Sequence, residues 1–216
     1  MIHKHIGTLL RAVAGASLLL AGTAQAASLE AQLDSVQHGW AQAYYAAPKE
    51  QKDAAFAKLI ADADAMLQAY PARAEALTWH AIVLSSAAKF GGGLSALGQV
   101  KQARKDLQQA EQIDPRTLDG SVYSSLGSLY ANVPGWPIAF GDKKQADAYL
   151  QKALAINPDG IDPNFFYAEL LAARGDKAAA KRYYEKALAA PPRPGREDAD
   201  NGRRAEIRAA LARLDG

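Results

Sequence analysis

Ala146, Leu150, Ala153 and Pro158 recur as Ala180, Tyr184, Ala187 and Pro192, each step 34 residues long. The same ladder lies upstream at Ala103, Leu107, Ala110 and Pro115, with the 4-3-5 spacing intact. Residues three and four apart share a helix face, so small and large side chains alternate along one stripe. The alanines admit a close neighbour, the large residue fills the groove, and the proline ends the helix. Alanine is frequent throughout, so it is the recurring prolines that make the echo specific. No stretch alternates apolar and polar residues cleanly enough to read as a strand. Gly and Pro sit between the helical runs, where they act as stops.

The partner helix carries Tyr123, Leu126, Gly127 and Tyr130. With the ladder, these residues resemble the tetratricopeptide repeat, whose first helix bears an aromatic, Leu-Gly and Tyr, and whose second bears Ala, a large residue, Ala and Pro. The resemblance is fullest from Tyr123 to Pro192 and thinner from Pro71 to Pro115. It implies an all-α fold, a right-handed superhelix of antiparallel helix pairs (a tetratricopeptide-like α-solenoid). A narrower resemblance, to a group of exported bacterial tetratricopeptide proteins, rests on two segments. These are the Pro134-Gly135-Trp136-Pro137 insertion running to Asp142 and the Arg-rich tail from Pro191. More loosely, the chain is similar to the periplasmic T-component of TRAP transporters, through its architecture and the Gly-Asp-Lys-x-x-Ala helix start.

Two departures from the period stand out. Pro71 to Pro115 spans 44 residues and Pro115 to Pro158 spans 43. The excess is expected at 88–94 and at 133–141, both joining the two helices of one unit. Helices are expected at about 28–46, 50–69, 72–90, 95–113, 117–132, 143–156, 163–174, 177–190 and 201–214. Asp142, Asp162 and Asp176 are the expected N-caps. The chain thus divides into 1–26, an N-terminal helical pair at 27–70, repeats over 71–192, and a capping helix in 193–216.

Residues 1–26 have the three-part layout of a secretory signal peptide. Lys4 and Arg11 precede an apolar stretch too short to span a bilayer, and Ala24-Gln25-Ala26 forms a small-x-small end. Cleavage is expected after Ala26, giving a periplasmic or secreted chain with no membrane insertion. The 25 Lys plus Arg and 23 Asp plus Glu of the full sequence then become 23 of each, so no global attraction to nucleic acid remains. With no cysteine in the sequence, disulfides, thiolate metal sites and thiol catalysis are excluded.

Catalysis has little to work with. Beyond residue 26 only His38 and His80 occur, on separate helices, and both read as ordinary helix residues. There is no HExxH, GxSxG or phosphate loop, and no cofactor is expected. Gly91-Gly92-Gly93-Leu94-Ser95-Ala96 fits a loose dinucleotide fingerprint, but a helix precedes it where a strand is required. Trp136 and Phe140 are the leading partner-binding candidates, because large apolar side chains on a loop must dock somewhere. Either they fold back over the helix ends or the tail, or they line a groove mouth or subunit contact. Arg203 and Arg204 are the next candidates, since arginine grips a carboxylate at two points. In the resembled family the first helix of each pair lines the concave face, which implies Trp79, Tyr123 and Asn164 there.

The expected function is non-catalytic: an exported scaffold or adaptor holding a protein or peptide partner. The alternative is a solute-handling subunit beside a transporter component, with a small organic anion bound.

Overall fold

The computed structural model describes residues 27–215. The expected signal peptide lies outside these residues. The chain runs through α1 (Leu29–Ala41), prolonged by a π-helical turn at Gln42–Ala46, and a 3-10 turn at Lys49–Gln51. Then follow α2 (Lys52–Ala69), α3 (Ala74–Gly91), α4 (Gly93–Ile113), α5 (Thr117–Asn132), α6 (Lys143–Ile156), α7 (Ile161–Ala173), α8 (Lys177–Leu188) and α9 (Glu197–Asp215). The described residues form an all-α solenoid of antiparallel helix pairs.

The alanine ladders hold the pairs together. Ala103, Ala110, Ala146, Ala153, Ala180 and Ala187 are each 0 % exposed, and the large residues between them, Leu107, Leu150 and Tyr184, are buried with them. Each buried large residue contributes roughly 1.5–3 kcal/mol. Gly127 shows how close the approach is: a Cβ there would lie 2.5 Å from Cγ of Leu150. The Leu-Gly pair of α5 is therefore a packing notch for α6.

Two features depart from the sequence expectation, one N-cap and one helix start. The extra residues near 88–94 lie largely within the long helices α3 and α4, of 18 and 21 residues against 13 and 12 in α7 and α8, close to the expected 72–90 and 95–113. Gly92 and Gly93, at φ 68° and 70°, turn the chain directly from one into the other. Asp142 and Asp176 do cap their helices, accepting from the backbone of Lys144 and Ala179. Asp162 does not. Gly160 takes the capping position, and Asp162 sits inside the first turn of α7, drawn to Arg193 and Arg203 by charge. Finally, α9 starts at Glu197, not near 201, because buried Asp200 ties back to the Arg193 backbone and side chain at 2.9 and 2.7 Å.

The first helix of each pair faces inward. α1 packs on α3, α3 on α5, α5 on α7 and α7 on α9, and α9 then returns to α1. Ala199 of α9 belongs to the same core as Val36, Trp40 and Trp79. Gly202 lies so close to the Tyr45 ring that a Cβ would meet it at 2.3 Å. The two ends of the array are thus joined, and the inner helices enclose a space.

Candidate binding cavity

That space is a cavity of about 1170 Å³, walled by the inner helices, the start of α4 and the chain before α9. It exceeds the roughly 300–1,000 Å³ of ordinary ligand pockets. One wall is aromatic. Trp40 stacks on Tyr44 at 4.9 Å between centroids and meets Tyr45 and Trp79 edge-on at 5.6 and 6.1 Å. Trp40 and Tyr44 sit one helical turn apart, which places both rings on the inner face. The indole N–H of Trp40 donates to Ser86 Oγ at 2.8 Å, which fixes the ring. Phe165 and Phe166 of α7 also line the space, as do four serines of α5, Ser121, Ser124, Ser125 and Ser128.

The floor of α5 begins in an unusual turn. Leu118 and Asp119 have φ of 50° and 54°, and both line the cavity. Non-glycine residues held in the left-handed region cost of the order of 1–3 kcal/mol each.

At the α7–α9 end lies a charge network. Arg193 bonds Asp162 at 2.7 Å and Asp200 at 2.6 Å. Arg203 bonds Asp162 at 2.9 Å and Glu206 at 2.6 Å, and Glu206 also accepts from the Tyr45 hydroxyl at 3.2 Å. Burial alone would push the Asp162 carboxyl up, but Arg193 and Arg203 outweigh it and hold it well below the usual carboxylate range. Burial pushes the Tyr45 phenol up. Arg203 also lies over the Phe165 and Phe166 rings, at 4.3 and 4.9 Å.

Of the residues singled out in the sequence, Trp79 and Arg203 line the cavity; the others do not. Arg204 donates to the Ala190 carbonyl at 3.0 Å. Asn164 is fully buried, its amide donating to the carbonyls of Pro158 and Gly160, both at 2.8 Å, so it ties down the α6–α7 turn. Tyr123 turns to α6, stacked on Tyr149 at 6.0 Å under Lys152. Phe140 docks edge-on against Tyr130, with Arg104 4.1 Å above it. Trp136 is 90 % exposed and Ile138 63 %, so neither folds back over helix ends or tail. Only the root of that loop, Val133 and Pro134, reaches the cavity wall.

Sequence reasoning missed Trp40, Tyr44, Tyr45 and the position of Arg196. The aromatic spacing on the first helix was the available signal. It also took His80 for an ordinary helix residue. Instead, His80 is buried between Asp106, 2.7 Å from Nδ1, and Asp64, 2.8 Å from Nε2. This triad joins α2, α3 and α4 outside the cavity wall.

Among the described residues no helix is long and apolar enough to cross a membrane. The tetratricopeptide repeat family model matches residues 138–159 and 161–194. No curated protein matches the chain. Among solved structures, TTC0263, a thermophilic TPR protein of Thermus thermophilus, is similar at 20% identity, over 87% of this chain and 98% of that one, with a TM-score of 0.46. A structure from the functional characterization of Pseudomonas aeruginosa pilF is similar at 16% identity, over 86% and 93%, with a TM-score of 0.36. The described residues are an all-helical solenoid of antiparallel pairs, of which residues 138–159 and 161–194 match the tetratricopeptide repeat model.

Proposed function

We propose that this chain is an exported, non-catalytic binding protein that holds a segment of a partner protein within the ring of inner helices. The observation that carries this reading is the cavity itself: a preformed space lined by aromatic rings, serines and charged groups. Such a lining suits a segment with apolar side chains and backbone groups that need hydrogen-bond partners. A photoreactive residue at Ser125, on the cavity floor, should crosslink a protein of defined mass in intact cells. The same residue at exposed Lys177 on the outer helix α8 should not. Equal adducts from both positions, or none from Ser125, would remove the reading. Export predicts that the N terminus of the purified protein is Ala27.

A second reading has one observation in its favour. The return of α9 to α1 bounds the space on all sides of the ring, which suits a small solute as well as a chain segment. In that case the chain is a solute-handling subunit beside a transporter, and Ser125 would label no protein.

A further inference from the structure

Four arginines lie in the segment before α9 and in its first turns, and three are neutralised. Arg193 has Asp162 and Asp200, Arg203 has Asp162 and Glu206, and Arg204 has Asp200 at 3.8 Å and a carbonyl. Arg196 is different. It lines the cavity with its guanidinium 4.8 Å over the Trp79 ring, and no carboxylate pairs with it among the described residues. Its Nε is buried with no hydrogen-bond partner. An arginine stacked on a tryptophan beside an open space, with no carboxylate paired to it, is arranged to receive a planar anion.

The rest of the cavity agrees. Its lining carries six basic side chains against four acidic ones, leaving a net positive charge. The wall next to Arg196 is apolar: the guanidinium lies over Trp79, and Trp40 meets Trp79 edge-on at 6.1 Å. A hard inorganic anion would find a charge there but no use for the aromatic wall. A carboxylate on an apolar body satisfies both halves.

We infer that Arg196, stacked on Trp79, is the recognition point for a carboxylate attached to an aliphatic or aromatic body lying along the aromatic wall. This rests on the proposal that the cavity is the binding surface. The carboxylate can come from a free organic acid or from the end of a polypeptide, and the two are separable by experiment.

Titration calorimetry with octanoate and octanamide tests the charge. Octanoate should bind the chain about tenfold or more tightly than octanamide, the margin expected of a charge-assisted pair. Arg196→Gln should erase that preference while leaving octanamide binding unchanged, and Arg196→Lys should keep part of it. An unaltered thermal melt shows that each variant is folded. A phenylalanine-ended hexapeptide, free or amidated at its carboxyl end, forms the second arm. Discrimination between these two exceeding that between octanoate and octanamide assigns the carboxylate to a peptide end; the reverse assigns it to a free acid. Equal binding of octanoate and octanamide would overturn the inference, yet leave the cavity reading intact. So would a preference that survives Arg196→Gln. No binding of any probe overturns the inference as well, and the Ser125 crosslink then decides the cavity reading separately.

Discussion

Arg203 Nε donates to the Asp162 carboxylate at 2.9 Å across 41 positions of sequence, joining the last helix to the seventh. The same carboxylate holds Arg193, so one acid neutralises two arginines where the ring closes. Asp162→Asn would leave both partly desolvated and short of a counter-charge. A loss of about 3 kcal/mol is expected, the scale of breaking a buried pair from one side. Asp162 titrates below its unfolded range, so its contribution is present above about pH 4 and fades as pH falls toward its folded value. Urea unfolding of both proteins between pH 3 and 7 checks this, and the gap should narrow on the acid side.

Gly127→Ala is the sharpest test of the repeat packing. The added methyl would meet Leu150 well inside contact distance, in a pair of helices whose interface is fully buried. Overpacking of this kind costs typically 1–3 kcal/mol. Thermal unfolding should shift down, and Leu150→Ala in the same chain should recover part of the clash while opening a cavity of its own.

How much of this was legible in the sequence follows from where the information resides. Ala146, Leu150 and Gly127 interact within one unit or with the next, so their roles are written in local spacing. The family resemblance supplied the inner-face rule that placed Trp79 at the cavity. It failed for Asn164 and Tyr123, because the helical phase of each residue, not its helix alone, decides which side it faces. The closure of α9 onto α1 joins residues with no periodic relation, such as Tyr45 and Glu206, so no repeat pattern announces it. The Arg-rich tail was visible as a group, yet which of its arginines are paired depends on three acids, Asp162 of α7 and Asp200 and Glu206 of α9.

His80 offers a pH test remote from the cavity. Burial works against its charge, but the hydrogen bond and charge of Asp106, then those of Asp64, outweigh it and raise the imidazole above its usual value. A raised folded value means the contribution is complete below about pH 6.5 and is lost as pH rises through the folded value. Wild type should therefore exceed His80→Gln in stability most near pH 6, with the difference shrinking toward pH 9. Denaturant midpoints across that range measure it, and a constant difference would contradict the charged triad.

Asp119→Gly should stabilise the chain. The residue holds φ of 54° without a glycine's freedom, and relief of that strain is worth about 1 kcal/mol. A higher melting temperature with unchanged far-ultraviolet circular dichroism is the expected result.

Trp136→Ser should leave thermal stability within about 0.5 kcal/mol of wild type, since the ring is almost wholly in solvent. A large drop in melting temperature would mean that the ring packs against the body of the protein.

The contact of Gly202 with Tyr45 bears on how such a chain can change over evolutionary time. An open array lengthens by duplicating a hairpin, because each new unit meets only its neighbours. Here one more hairpin would carry the final helix past Tyr45 and expose the aromatic group it covers, and one fewer would leave it short. The copy number is therefore locked, and variation is left to the side chains that face the interior.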